Sequence, residues 1–224
     1  MEKSATDRLT EVQAEIDKAC RIARRRPEDV TLIAISKTHP AAAIAPLLEA
    51  GHRVFGENRV QEAQGKWPEL REKFPDTKVH LVGQLQSNKA DDAVAEFDCI
   101  HSLDRPSLVK ALGKAFDKAG RQVPCFVQVD IGEEEQKGGC AIADLPSLLE
   151  QAREADIPVI GLMCVPPLGI EPAPYFALLA KIADDHGLDG RSMGMSSDYP
   201  TAIMLGATHV RVGTALFGER NTSA

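Results

Sequence analysis

Short apolar runs rich in β-branched residues recur along the chain, and segments with a helical spacing of apolar positions separate them. The first run lies in V-T-L-I-A-I-S-K-T-H-P, residues 30–40, and has the composition of a buried strand. Between runs, segments such as A-A-A-I-A-P-L-L-E-A-G repeat apolar residues at the three- and four-residue spacing of one helix face. Eight runs are strand candidates: 30–36, 53–57, 78–83, 98–103, 123–130, 158–164, 190–195 and 209–213.

The alternation of strands and helices predicts parallel βαβ units and therefore an α/β fold. Eight such units close naturally into one (β/α)8 TIM-like barrel, and an open doubly wound sheet is the alternative. An extra helix precedes the first strand, because Leu9, Val12 and Ile16 follow helical spacing there. No internal repeat or low-complexity linker interrupts the pattern, so we expect residues 1–224 to form a single domain.

Composition excludes several classes of function. The 224 residues carry a net charge of −7, which argues against general binding to nucleic acid or to an acidic membrane surface. The amino-terminal segment lacks the apolar core of a secretory signal, and no stretch approaches the roughly 18 apolar residues of a membrane span. Five cysteines without a C-x-x-C spacing predict reduced thiols in a cytoplasmic protein. The histidines show no H-x-H or H-E-x-x-H pattern, so no metal site is predicted.

A lysine follows the apolar run of the first strand candidate. Lys37 is in step with Ile33 and Ile35, so all three side chains point to the same side of the sheet. In a barrel, reactive groups gather at the carboxyl ends of the strands. An amine that rises there from an apolar floor would have a lowered pKa, as a Schiff-base lysine requires. The alternative is an ordinary surface lysine at a strand end.

Two loops rich in glycine and hydroxyl groups follow the seventh and eighth strand candidates. They read S-M-G-M-S-S-D-Y-P and V-R-V-G-T-A-L-F-G, and they offer Ser196, Gly213 and Thr214 to an anion. Barrels frequently bind phosphate at this position. The alternative is local: Ser197 or Asp198 caps a helix, and Gly213 makes a turn. Beside a lysine that can form an imine, the two loops together indicate a phosphorylated aldehyde as the ligand.

Two further polar residues belong to the same end of the predicted barrel. Arg211 lies inside the eighth strand candidate, where an arginine is costly unless it pairs with a carboxylate or faces a ligand. Both uses stay open on spacing alone. Asn58 follows the second strand candidate and would stand beside Lys37 at the mouth. With Gln61 three residues later it also resembles a helix capping box, and one residue can serve both purposes.

Six motifs follow one another through nearly the whole chain after the first helix: A-I-S-K-T, F-G-E-N-R-V-Q-E, H-L-V-G-Q-L-Q-S-N-K, G-L-M-C-V-P-P, S-M-G-M-S-S-D and V-R-V-G-T-A-L-F-G. In this order they resemble the pyridoxal-phosphate homeostasis protein family, single-domain relatives of the barrel of alanine racemase (fold-type III). The resemblance implies that Lys37 carries pyridoxal 5′-phosphate (PLP) as an imine. It also implies phosphate contacts from Ser196, Gly213 and Thr214, with Arg211 facing the pyridine nitrogen.

The resemblance further implies a protein that holds PLP and supplies or buffers it in the cell, with PLP-dependent apo-enzymes as candidate recipients. A guanidinium only donates hydrogen bonds, so Arg211 would leave the ring nitrogen unprotonated and the ring a weak electron sink. The racemases use a second domain with an opposing tyrosine. We expect no such domain here and therefore a monomer. Tyr199 is the candidate base at the mouth, and its simpler role is to start a helix. We therefore expect no appreciable enzyme activity.

Two alternative functions stay open. One is a racemase-like amino-acid enzyme that uses the same PLP imine. The other is a Schiff-base aldolase that acts on a sugar phosphate with Lys37 as its nucleophile. The residues alone do not separate a PLP protein from an aldolase, since both need a lysine beside a phosphate site; the motif set favours the PLP protein.

Overall fold

Eight parallel strands close into a barrel in a computed structural model that describes residues 3–134 and 138–218. Each strand is hydrogen-bonded to the next along the chain, and the last pairs with the first. The strands are β1 (Thr31–Ile35), β2 (Val54–Glu57), β3 (Lys78–Leu81), β4 (Cys99–Leu103), β5 (Cys125–Gln128), β6 (Val159–Met163), β7 (Gly190–Met195) and β8 (His209–Val212). Each lies within its strand candidate. The predicted barrel is therefore confirmed, and the alternative of an open sheet is wrong.

Helices connect the strands and cover the outside of the barrel. They are α1 (Ala5–Ile22), α2 (Ala41–Glu49), α3 (Val60–Gln64), α4 (Trp67–Lys73), α5 (Ala90–Glu96), α6 (Pro106–Ala119), α7 (Leu145–Glu154), α8 (Ala173–Asp185), α9 (Tyr199–Met204) and α10 (Thr214–Phe217). Single 3₁₀ turns lie at Pro27–Asp29, Ser87–Lys89 and Ile142–Asp144. The predicted extra helix is α1, which packs against α9 and α10. Over the described ranges, no helix has both the length and the apolar character that crossing a membrane requires.

The strands bury both of their faces, and the two faces pack against different partners. On β1, Leu32 and Ala34 join the main core between the strands and the helices, whereas Ile33 and Ile35 fill the barrel interior. Glycine on the neighbouring strand makes room for them, because a Cβ at Gly56 would lie 2.6 Å from the Ile35 side chain and 2.9 Å from that of Ile33. This alternation also directs the residues just beyond each strand toward the barrel axis.

Candidate functional site

A cavity of about 780 Å³ opens at the carboxyl ends of the strands. A volume of this size is typical of sites for small molecules. Parallel pairing of β8 with β1 closes the barrel, so the loops after the last strand lie beside the loop after the first strand at this cavity. The lining includes every site residue predicted from the sequence: Lys37, Asn58, Ser196, Arg211, Gly213 and Thr214.

Lys37 lies two residues beyond the end of β1 and is half-buried. Ile35 lines the cavity beside it, in agreement with the predicted common face. The turn that follows is conformationally strained, because Thr38 has a φ of 64°, a left-handed conformation that costs an ordinary residue roughly 1–2 kcal/mol. The N–H of Thr38 donates to the carboxylate of Glu62, which holds the turn in this shape.

A largely buried ammonium group ties the same turn to the next βα unit. Lys66 Nζ donates to the carbonyl oxygens of Ser36, at 2.8 Å, and His39, at 3.2 Å. It also forms an ion pair with Glu57 at 2.8 Å. Glu57 is fully buried and accepts from the Ser36 hydroxyl at 2.6 Å. Burial raises the pKa of the Glu57 carboxyl, although Lys66 and Ser36 act in the opposite direction. The two carbonyl groups that Lys66 binds, those of Ser36 and His39, therefore lie on either side of Lys37 in sequence.

Asn58 lines the cavity as predicted, but it does not cap a helix. Helix α3 begins at Val60, its N-cap residue is Arg59, and no side chain makes a cap hydrogen bond. The predicted capping box with Gln61 is therefore wrong. The backbone stays extended for one residue longer than the motif suggested, with φ −136° and ψ 138° at Arg59.

The loops after β7 and β8 meet on another side of the cavity. The Gly213 N–H donates to Ser196 Oγ at 3.1 Å, so the serine oxygen is held and its O–H is left to donate elsewhere. The carboxylate of Asp198 accepts from the Met195 N–H at 2.6 Å and closes the turn after β7. Asp198 occupies the N-cap position of α9 without a side-chain cap hydrogen bond. Thr214 is exposed at the start of α10 and lines the cavity.

Arg211 lies at the base of the cavity and is only 6% exposed. Its position on β8 is opposite Ile33, four residues before Lys37, which places it deeper in the barrel. The guanidinium donates to Ser192 Oγ at 2.7 Å and to the Cys164 carbonyl at 2.8 Å. Burial lowers its pKa from the ordinary value. No carboxylate of the described residues forms an ion pair with it, so the predicted alternative of a structural salt bridge finds no support.

Histidines fill the barrel interior below Arg211, and sequence reasoning missed their arrangement. Burial, and then the neighbouring His209, lower the pKa of His80 to about 3; burial, and then Arg211, lower that of His209 to about 4. His101 is fully buried, and its ring stacks on that of Phe126 with centroids 4.4 Å apart. A signal existed in the sequence, since all three histidines lie inside strand candidates, where a polar ring needs a partner.

The rim of the cavity holds a second titratable side chain beside Lys37. His39 lines the cavity and stacks on Phe217 of α10, with ring centroids 4.3 Å apart. Tyr199, the base considered from the sequence, begins α9, is 6% exposed and is not among the lining residues. Burial raises the pKa of its phenol. Tyr199 is therefore a helix-start residue, the simpler of the two roles considered from the sequence, and the structure brings His39 to the site instead.

The charge and shape of the cavity favour an anionic ligand with an apolar body. Lys37 and Arg211 contribute two basic groups, and none of its described lining residues is acidic. The amine can condense with a carbonyl group, and hydroxyls and backbone N–H groups of two loops can bind an anion. Apolar side chains complete the walls: Ile35, Val82, Val165 and Met195.

Comparisons with known proteins agree with this arrangement. The family model of the alanine racemase N-terminal domain matches residues 9–221. A pyridoxal phosphate homeostasis protein of Pseudomonas aeruginosa is 39% identical over 224 residues, which cover 97% of this chain and 96% of that protein. A protein of the same name from Aquifex aeolicus is 38% identical and covers 97% of this chain and 99% of its own.

Solved structures extend the comparison to the fold. PipY of Synechococcus elongatus, in a structure with PLP bound, is 41% identical with a TM-score of 0.80, covering 91% of this chain and 100% of that chain. An alanine racemase of Clostridium difficile is 16% identical with a TM-score of 0.71, covers 97% of this chain and 58% of that chain, and shows likeness of fold alone. The chain therefore belongs to the alanine racemase N-terminal domain family and, within it, to the pyridoxal phosphate homeostasis proteins.

Proposed function

We propose that the barrel cavity of this chain binds PLP, with the Lys37 amine joined covalently to the aldehyde carbon. PLP supplies a reactive aldehyde on a flat pyridine ring that also carries a phosphate. The observation that carries the proposal is one cavity that combines a lysine amine, a buried guanidinium and two donor loops without an acidic described lining residue. The PLP-bound structure of PipY and the names of the relatives support it.

Each predicted residue has a distinct role in this proposal. Lys37 is the nucleophile, and the loops of Ser196, Gly213 and Thr214 bind the phosphate through hydroxyl and backbone N–H donors. Arg211, at the base, donates to the ring nitrogen and keeps it unprotonated, because a guanidinium has no acceptor. Asn58 lines the mouth beside Lys37.

The proposed role is to hold PLP and to supply or buffer it within the cytoplasm, with PLP-dependent apo-enzymes as recipients. The relatives' name, homeostasis protein, supports this role over catalysis. So does the position of Arg211, because an unprotonated ring is a poor electron sink for a carbanion. The chain is proposed to act as a monomer, which light scattering of the purified protein tests directly.

Covalent attachment is tested by borohydride reduction of the PLP-loaded protein followed by peptide mapping. The pyridoxyl group is expected on Lys37, and Lys37→Ala should lose both the adduct and the visible absorption while it remains folded. Lys89→Ala is the matched control, because Lys89 is half-buried near the same face, pairs with Asp92 and is not among the lining residues. An adduct mainly on another lysine would disprove the assignment. The visible absorption itself separates the proposal from the aldolase alternative.

Supply of PLP is tested by mixing the loaded protein with a PLP-dependent apo-enzyme. The activity of the apo-enzyme should return in proportion to the PLP that the loaded protein releases. The loaded protein after borohydride reduction is the matched control, since its PLP is permanently attached. If the unreduced protein binds PLP but does not reactivate the apo-enzyme, the supply role is contradicted and the binding proposal stays intact.

One observation favours the enzyme alternative. His39 is a second titratable side chain on the cavity lining, and an imidazole is the commonest general base in proteins. A racemase-like activity would need such a group. Its test is proton exchange at the α-carbon of an amino acid.

A further inference from the structure

A row of hydrogen bonds leads from Arg211 through the barrel interior, away from the cavity. The guanidinium donates to Ser192 Oγ at 2.7 Å. Ser192 Oγ lies 2.8 Å from His101 Nδ1, and His101 Nε2 lies 3.0 Å from His80 Nδ1. Every member is buried, with exposed fractions from 0% to 8%. The row joins β8, β7, β4 and β3, so it crosses the interior of the barrel.

The row has one direction, because a guanidinium has N–H donors and no acceptor. Ser192 Oγ has two hydrogen-bond neighbours among the described residues, and one of them is this guanidinium. The serine proton therefore has to be donated to His101 Nδ1, or it would be buried without a partner.

The histidine tautomers follow from this direction. Burial, with neighbouring positive groups, lowers the pKa of His101 well below its usual value and that of His80 to about 3, so both rings are neutral at pH 7. A neutral imidazole has one N–H and one acceptor nitrogen. His101 accepts at Nδ1 and therefore donates from Nε2. His80 accepts at Nδ1 and also carries its proton on Nε2.

We propose that Ser192, His101 and His80 are positioning residues that hold the guanidinium of Arg211 at the base of the cavity in one orientation. The effect on a ligand rests on the proposed function, whereas the row is a property of the protein without a ligand. The plane of a guanidinium is fixed when two of its nitrogens are bound, here by Ser192 Oγ and the Cys164 carbonyl. Aligned hydrogen bonds also polarise one another, which stabilises a charge that no carboxylate of the described residues compensates.

The same region contains a candidate metal site, although the sequence predicted none. The ligand atoms of His80, Cys99 and His101 lie within 4.8 Å of one another. A metal bound by the two ring nitrogens that face one another, His80 Nδ1 and His101 Nε2, would need a lone pair on each. In the row, however, His101 Nε2 is the donor. Burial also raises the pKa of the Cys99 thiol well above its usual value, which disfavours the thiolate that a metal requires. The hydrogen-bond row is the stronger assignment.

The tautomers are measurable by nitrogen NMR of ¹⁵N-histidine protein without PLP at pH 7. Both His80 and His101 are expected to be protonated on Nε2 alone. Ser192→Ala should remove the preference at His101 and give a mixture of tautomers. Ser102→Ala is the matched control, since Ser102 is fully buried on β4 and its hydroxyl has no partner among the described residues. A proton on Nδ1 of either histidine in the wild type would overturn the row. So would stoichiometric zinc binding that Cys99→Ala abolishes.

The positioning role is measured with PLP. Loss of one hydrogen bond that fixes a charged group costs about 1.4 kcal/mol or more, so Ser192→Ala should weaken PLP binding about tenfold and shift the visible absorption band. Ser192→Thr keeps the hydroxyl and should therefore show the wild-type PLP affinity and absorption band. Ser102→Ala should change neither quantity. Wild-type affinity and absorption in Ser192→Ala would overturn the positioning role. If the wild type bound no PLP, the proposed function would fail while the tautomer measurement still decided the row.

Discussion

Single charged residues in costly positions define this site. Arg211 is almost fully buried without a carboxylate partner among the described residues. Lys37 lies two residues beyond an apolar strand, beside a residue in a left-handed conformation. Each of these costs folding free energy. Both positions lie at one cavity, where a bound ligand would offset the cost of the buried guanidinium. Energetic anomalies of separate residues therefore point to a common ligand.

Thr214 provides the sharpest test of the phosphate loops at the residue scale. Thr214→Val preserves the shape and removes one hydroxyl donor, so PLP affinity should fall by about 1–2 kcal/mol in a binding titration. Affinity for pyridoxal, which lacks the phosphate, should not change. Thr10→Val is the matched control, because Thr10 is exposed on α1, away from the cavity. Equal losses for both aldehydes would show that Thr214 contacts some other part of the ligand.

His209 predicts how stability depends on pH. Burial, and then the charge of Arg211, lower its pKa to about 4 in the folded protein, whereas an unfolded histidine titrates near 6.5. Between these values the unfolded state binds more protons, so the free energy of unfolding falls as the pH is lowered from 7 to 5. The contribution of one such histidine is about 2 kcal/mol.

Urea unfolding at pH 7 and pH 5 measures this contribution. In His209→Asn, the difference between the two free energies of unfolding should be smaller than in the wild type by about 2 kcal/mol. His186→Asn, at an exposed position after α8, is the matched control. If the free energies of unfolding at pH 7 and pH 5 differed by the same amount in His209→Asn as in the wild type, the His209 ring would not be held neutral in the folded protein.

At the scale of elements, sequence reasoning succeeded for the strands and failed where side chains decide a boundary. Buried strands are recognisable because both of their faces are apolar, and all eight were located. The start of α3 was missed, because Asn58 and Gln61 have the residue types of a capping box without its geometry. The Lys66–Glu57 pair was missed too. Charged residues at the end of a strand and before a short helix are ordinarily solvated, and only the fold shows that Glu57 is buried and Lys66 largely so.

That pair gives a prediction about how Lys66, at the N-cap of α4, holds the turn after β1. Lys66→Met leaves the buried Glu57 carboxyl without its cation and should lower the free energy of unfolding by about 3–5 kcal/mol. Adding Glu57→Gln should recover a large part of this loss. A double-mutant cycle measured by urea unfolding gives the coupling. The exposed pair Lys181 and Asp185 on α8 is the control, with an expected coupling below about 1 kcal/mol. Equal coupling in the two cycles would mean that the buried pair does not clamp the turn.

At the scale of the whole molecule, closure of the barrel creates the site. Lys37, Asn58, Ser196 and Arg211 belong to four different strand ends, and only the pairing of β8 with β1 makes them neighbours. The sequence allowed this prediction because a (β/α)8 barrel has a fixed strand order, so strand number alone gives position around the ring. It did not allow prediction of the interior row, since the depth of a side chain depends on strand register and on the glycines that make room.

The arrangement of the whole cavity also predicts that bound PLP undergoes little carbanion chemistry. Arg211 at the base has only donors for a ring nitrogen, so the ring would stay unprotonated and would stabilise an α-carbanion weakly. Tyr199 lies outside the cavity lining, and the ring of His39 is stacked on Phe217. Proton exchange at the α-carbon of alanine in deuterated water, followed by NMR with the PLP-loaded protein, should therefore be far slower than an ordinary enzyme turnover of about 1 per second.

His39→Asn should leave this slow exchange rate unchanged, and Lys37→Ala should remove it. Exchange at about 1 per second or faster, lost in both variants, would instead assign a racemase-like enzyme with His39 as its base.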